Sequence, residues 1–411
     1  MKIGIVAPGI WDSVFVDTAR TLAQQGHEIA VYTDSVRAPS GRCLLRLKED
    51  GVDYYVLHPS RRNPWLWPLD KLAKPVFGRR LFTTLWALYR YFSATRDCDI
   101  YLVESDWMGL FVGVIRRLRR FRWVVGVHDT DHLDIALDYP GRPRVRWMRR
   151  AKLWVLRSCD GVRANSYVTR DALVQGGVPP GSITVIPLHI PATRLPREHL
   201  PSFRPGARSE ILRRYGLPED VRLLMVMCRL APVKGIELVV QALPHVLAHY
   251  PNTRLMICGP DREVSGGGTY RGTLEAEAQR CGVGDKLIFP GNIGLEELRL
   301  YLAAADVHLA PSLIDTFSYS VIDAAMAGTR SIVSDKVGVA HWMRHAGAGV
   351  IIGQRDPLLW AEAIKAELAT SPGFEQMAGF VRELSARLDC GRITTELAAF
   401  LARAALYETG S

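Results

Sequence analysis

Along the chain, short apolar runs closed by glycine, proline or an acidic residue alternate with longer stretches in which apolar positions recur three and four apart. That alternation predicts buried parallel strands joined by amphipathic crossover helices. Residues 2–6 read as a first strand, 15–25 as a helix stopped by Gly26, and 28–33 as a second strand. In residues 78–95, Leu81, Leu85, Leu88 and Phe92 share one face with Phe82, Trp86 and Tyr89 beside it, a stripe suited to a core. Strands follow at 99–104, 122–127 and 159–166, with a helix over 107–117. A segment rich in proline and arginine, running to about Pro205, reads as a linker between domains. The pattern then restarts, with strands at 222–228, 255–258, 286–289, 307–310 and 331–334 and helices at 236–249 and 296–304.

The densest chemistry falls in residues 310–343. Pro311-Ser312 ends a strand, Ser318 or Ser320 supplies an N-cap, and the helix that follows stops near Gly328. The amides of residues 316–320 are left at a helix N-terminus, where unpaired N–H groups and the macrodipole favour a phosphate. Asp315 lies ahead of that helix and Asp323 in its first turns, so both carboxylates can face one pocket and grip hydroxyls of a sugar and a ribose. Structural readings stand beside this one. Ser320-x-x-Asp323 fits a capping box, and Asp315 fits an Asx turn.

Composition narrows the classes. At 411 residues, 48% hydrophobic and 23% charged, the chain fits two domains of similar size. Seven cysteines with no Cys-x-x-Cys pair indicate neither a disulfide framework nor a zinc cluster, and they read as reduced thiols of a cytoplasmic protein. No apolar run reaches the ~18 residues that span a bilayer, and the N-terminus reads as a strand rather than a signal peptide. A net charge of +10 favours an anionic partner. Residues 59–75 mix Arg61, Arg62, Lys71 and Lys74 with Trp65, Leu66 and Trp67, which suits an anionic membrane surface or, equally, a loop with its tryptophans folded inward. Two further basic clusters, Arg116 to Arg122 and Arg142 to Lys152, the second interleaved with Trp147 and Trp154, read either as lipid-phosphate contacts or as solvated faces. No nucleic-acid-binding module is present to make nucleic acid the partner.

Asp315-Thr-Phe-Ser-Tyr-Ser-Val-Ile-Asp323-Ala-Ala-Met-Ala-Gly328 resembles the signature of the large family 4 of retaining glycosyltransferases with the GT-B fold. That signature has two glutamates separated by seven residues, followed by Ala-Met-Ala-x-Gly; here both acids are Asp. Arg229-Leu-Ala-Pro-Val-Lys234-Gly235 resembles the family's Gly-Arg-Leu-x-x-x-Lys-Gly, with Cys228 in place of the first glycine. His128-Asp129 resembles the family's strand-end His, and Val185-Ile186-Pro187 its Val-Ile-Pro. Two places depart from the pattern: Gly9-Ile10-Trp11-Asp12 replaces a Gly-Gly loop, and His341 takes the position of a Glu after Gly338.

The resemblance implies an α/β chain of GT-B architecture, two Rossmann-like parallel-sheet domains facing a central cleft. Residues 1–190 would bind the acceptor, 191–383 the nucleotide-sugar donor, and 384–411 would pack back on the first domain. The implied reaction moves a sugar from a nucleotide diphosphate sugar to a hydroxyl acceptor with retention. His128, Asp315, Arg229 and Lys234 would be catalytic; Arg229, Lys234, Gly259, Asp315, Thr316, Phe317, Ser318, Tyr319 and Asp323 would hold the donor. Gly9, Ile10, Trp11, Asp12 and Asp129 would lie on the acceptor side. No metal and no cofactor beyond the donor is expected. The acceptor would be a lipid-linked or surface saccharide precursor, met at the cytoplasmic face of the membrane. Two other readings stay open: a GT-B scaffold without turnover that binds membrane or a partner, motivated by Asp315, Asp323, His341 and the missing Gly-Gly, and a GT-B sugar phosphorylase.

Overall fold

A computed structural model of the protein describes residues 1–7, 14–34, 44–57, 63–77, 81–104, 106–128, 143–194, 200–263, 267–344, 349–370 and 374–406. The first sheet is built from β1 (Lys2–Val6), β2 (Glu28–Asp34), β3 (Leu44–Glu49), β4 (Val52–Leu57), β5 (Ile100–Val103), β6 (Trp123–Val127), β7 (Gly161–Ala164) and β8 (Ile183–Val185), in the order β3-β4-β2-β1-β5-β6-β7-β8. Every neighbouring pair is parallel except β3 and β4, a hairpin. That hairpin turns on Asp50 (φ 50°) and Gly51 (φ 78°), the left-handed pair that a two-residue turn between strands requires. The sequence reading places no strand there.

Helices α1 (Val14–Gln24) and α15 (Cys390–Leu406) cover one face of this sheet, burying Leu22, Leu397 and Leu401 against Ile3, Ile5 and Leu102. On the other face lie α3 (Leu81–Ala94), α4 (Asp106–Leu118) and α5 (Pro143–Ser158), around Leu88, Phe92, Val112 and Trp123. The stripe expected on residues 78–95 is therefore core, except that Tyr89 is exposed. Part of residues 59–75, read from sequence as a loop, lies in helix α2 (Trp67–Phe77).

The second sheet has the order β11-β10-β9-β12-β13-β14, all parallel: β9 (Arg222–Met227), β10 (Thr253–Cys258), β11 (Leu287–Gly291), β12 (Val307–Ala310), β13 (Ser331–Ser334) and β14 (Gly349–Ile352). Helix α7 (Leu200–Tyr215) begins inside the stretch expected to be linker and packs on α10 (Leu295–Ala304). In both sheets the strand order reverses beside the first strand, between β1 and β5 and between β9 and β12. Open α/β sheets bind ligands at the carboxyl ends of the strands flanking such a reversal. A further apolar cluster joins the halves: Leu188 and Ile190, from the crossing segment, pack with Phe317, Val321 and Ile322.

Candidate functional site

The reversal point of the second sheet faces a cavity of about 620 Å³, closed from the first sheet by His128 and Asn165, just beyond β6 and β7. Its donor-side wall is made by the ends of β9 and β10, by the residues just beyond β11, by the loop after β12 and by helix α11 (Tyr319–Met326). Every expected donor residue lines it: Arg229, Lys234, Gly259, Asp315 to Tyr319, and Asp323. The local sequence explains the approach. A Cβ on Gly259 (φ 144°) would lie 1.8 Å from the carbonyl oxygen of Cys228, so only glycine lets the β10 end close on the β9 end.

Lys234 and Asp315 form an ion pair, Nζ to Oδ2 2.7 Å, with side chains 12% and 16% exposed. Burial acts to lower the lysine's pKa, but the neighbouring carboxylate outweighs it and raises the value, so the ammonium stays charged. The other oxygen of Asp315 accepts from the Phe317 amide at 3.4 Å, the Asx turn foreseen as its structural role; the carboxylate therefore does both. Ser318 heads α11 in a left-handed conformation (φ 69°) and makes no side-chain cap. A non-glycine residue held there costs of order 1–3 kcal/mol and is typical of functional loops. Without a cap, the first amides of α11 face the cavity. The capping box expected of Ser320 and Asp323 is not formed: Asp323 pairs with Arg194 instead. Burial pushes the Cys228 thiol up to about 12, which keeps it protonated and removes it as a nucleophile.

Across the cleft stands His128, just beyond β6, with its ring edge-on to Phe15 (4.9 Å between centroids). Its Nε2 lies 2.5 Å from Oε2 of Glu104, whose other oxygen accepts from Arg163 at 3.0 Å. Glu104 and Arg163 are each 1% exposed, and Arg163 also donates to the Ile186 and Pro187 carbonyls that lead into the crossing. Burial acts to raise the Glu104 pKa, but His128 and Arg163 together hold it below the usual carboxylate range. Gly126 makes room for the pair, since a Cβ there would sit 1.9 Å from Oε2. This network escaped the sequence reading, although an arginine in the middle of the four-residue strand β7 is a signal in itself. A charged side chain in a buried strand needs a buried partner.

The halves meet through the donor loop. Thr316 Oγ1 donates to the His128 carbonyl (2.6 Å), and the Tyr319 hydroxyl donates to the His189 carbonyl (2.7 Å). His341 stands outside the cavity with its ring 4.3 Å from that of Tyr167, so the position read as a missing donor carboxylate is a domain contact here. Gly9, Ile10, Trp11, Asp12 and Asp129, expected on the acceptor side, lie outside the described residues. The basic cluster at 116–122 lies at the amino edge of the sheet, away from the cleft, where Arg116 and Arg122 pair with Asp160. Lys152, from the second cluster, is buried rather than on the surface.

Two Rossmann-like sheets closing on a cleft that holds Arg229, Lys234 and an uncapped helix N-terminus make this a protein of GT-B fold. Residues 12–189 match the family model described as the glycosyl transferase 4-like domain, and residues 207–378 that of glycosyl transferases group 1; the chain belongs to this family. Among curated relatives are D-inositol 3-phosphate glycosyltransferases. That of Geodermatophilus obscurus is 28% identical over 369 residues, 86% of this chain and 76% of the relative. That of Thermobispora bispora is 26% identical over 374 residues, 87% and 81%. A solved sucrose-phosphate synthase from Thermosynechococcus elongatus covers 98% of each chain with a TM-score of 0.73 at 19% identity. HepE of Anabaena, solved with UDP and glucose, reaches 0.70 at 15% identity over 98% of this chain and 100% of its own. These structures share the fold.

Proposed function

We propose that the protein transfers a sugar from a nucleotide diphosphate sugar to a hydroxyl acceptor with retention of anomeric configuration. One observation carries the reading: the Lys234–Asp315 pair, Arg229 and the uncapped start of α11 converge on one cavity, with His128 on the facing wall. As the bond from the anomeric carbon to the diphosphate oxygen breaks, negative charge grows on the leaving group. Arg229, Lys234 and the amides opening α11 are placed to meet it, with little reorganisation at the moment of reaction. Asp315 would hold the donor sugar, and His128, oriented by Glu104, the sugar or the acceptor. The acceptor oxygen would enter on the face the diphosphate leaves and pass its proton to a departing phosphate oxygen. In this scheme protein cations neutralise the diphosphate, so transfer is expected to persist with divalent ions chelated.

The relatives suggest where to start. HepE was solved with UDP and glucose, and the curated relatives are named for an inositol phosphate acceptor. Calorimetric titration with UDP, GDP and ADP, then NMR of the product's anomeric proton with UDP-glucose and inositol phosphate, is the test. One nucleotide should bind at micromolar concentration and the product anomer should match the donor; inversion, or no binding up to millimolar nucleotide, would sink the reading.

We further propose that the enzyme works at an anionic membrane surface through α2. Trp65 is 87% exposed and Leu72 77%, with Trp67 and Leu69 partly so, and Lys71 lies 5.6 Å from the Trp67 ring centre. The chain leaves β4 at the carboxyl edge of the sheet, the edge facing the cleft, shortly before these residues. Tryptophan beside lysine suits the headgroup layer. No helix among the described residues is long and apolar enough to cross a membrane. Co-sedimentation with vesicles containing phosphatidylglycerol should fall at least tenfold in a Trp65→Glu, Leu72→Glu variant; unchanged binding would remove α2 from the interface.

A further inference from the structure

Arg194 closes a short 3₁₀ turn (Ala192–Arg194) in the segment crossing between the two sheets, and its side chain reaches into the donor half of the cavity. Its Nη1 donates to Oδ2 of Asp323, and its guanidinium carbon lies 4.5 Å from the Tyr319 ring centre. The turn is itself pinned, because Arg299 of α10 donates to the Thr193 carbonyl at 2.6 Å. Among the described residues, Asp323 is the hydrogen-bond partner of the Arg194 side chain, whereas a guanidinium carries five N–H donors in a rigid fork.

Asp323 is the position to which the family resemblance gives the donor ribose. In this chain the acid is one methylene short, its side chain is 5% exposed, and one oxygen is already engaged. We infer that Arg194, held in place by Asp323 and Tyr319, is the residue that donates hydrogen bonds to the ribose hydroxyls, and that Asp323 is a positioning residue. The inference rests on the nucleotide-sugar reading above. Displacing Arg194 to expose Asp323 would leave a carboxylate buried without its counter-charge, which is strongly unfavourable. Keeping the pair and adding the ribose to the remaining N–H groups has no such cost. Burial already raises the Asp323 pKa against the opposing effect of Arg194, so the acid is stabilised in its charged form chiefly by that one partner.

The probes are the nucleoside diphosphate among UDP, GDP and ADP that the wild-type protein binds best, and its 2′,3′-dideoxy counterpart. Wild-type protein should bind the dideoxy form about tenfold more weakly, the scale of a hydrogen bond to a charged group. Arg194→Ala should bind both forms equally, at the wild-type level for the dideoxy form. Arg194→Lys keeps a cation beside Asp323, so it guards against a folding defect, and its lost fork should cut the discrimination to about threefold or less. Undiminished discrimination in either variant would mean that Asp323 or another group reads the ribose, and overturns the inference. So would tighter nucleotide binding by Arg194→Ala, which would make Arg194 a plug. If the wild-type protein binds none of the three nucleotides, the donor reading fails, and with it this one.

Discussion

Lys234→Ala is expected to weaken binding of the preferred nucleoside diphosphate about 100-fold while leaving the protein folded. The lysine meets Asp315 at 2.7 Å in a site where both side chains are mostly buried, so screening by water is limited. A hydrogen bond to a charged group is worth about 1.5–3 kcal/mol, which alone is roughly a ten- to 100-fold change. Removing the cation also leaves Asp315 facing the diphosphate as an uncompensated like charge, which pushes the loss toward the upper figure. Calorimetry supplies the affinity and a thermal melt the folding control. If the variant binds within threefold of wild type, the diphosphate does not lie against Lys234.

The second large effect is expected from Glu104→Gln, read in stability before activity. The substitution keeps the shape of the side chain but leaves the Arg163 charge, 1% exposed, without its counter-ion. Breaking a buried pair from one side costs about 3–5 kcal/mol, and hydrogen bonds that glutamine retains should bring the loss to the lower end, a fall in Tm of roughly 5–10 °C for domains of this size. The pH dependence has a definite sign. The folded Glu104 pKa lies below its ordinary value of 4.5, so its stabilisation is complete above that value and is lost as pH falls through the folded one. The difference in Tm between the two proteins should therefore be widest near neutrality and close as pH falls below about 4. Melting curves across that range check it, and a difference under 1 °C at pH 7 would show that the network carries little stability.

Much of the fold is legible because strands such as Ile100–Val103 and Trp123–Val127 are fully buried and so are written as unbroken apolar runs. The donor wall is legible for a different reason: its residues fall in short local runs at strand ends, Arg229 to Lys234 and Asp315 to Asp323, and the helix start that presents the second run is a local event. The facing wall is harder. Glu104, Arg163 and His128 come from three strands and become neighbours only through the order β5-β6-β7, which short-range pattern does not specify. Arg194 is harder still, because a segment rich in proline and arginine gives no sign that one of its arginines turns into the cleft. The hairpin at Asp50-Gly51 is a contrary case. An Asp-Gly pair between strand-forming runs is a strong local signal for it, and the charged alternation of Leu44–Glu49 reflects an edge strand with one face in water.

The domain contacts made by Thr316 and Tyr319 end on main-chain carbonyls, those of His128 and His189. A carbonyl survives any substitution of the side chain it belongs to. The clasp between the halves is thus blind to the identity of residue 128, and that position can be altered without loosening it. The fastening of the cleft and the chemistry of the imidazole become separable by mutation: a His128→Ala protein keeps the Thr316 bond, and what it loses is the ring with its contacts to Glu104 and Phe15.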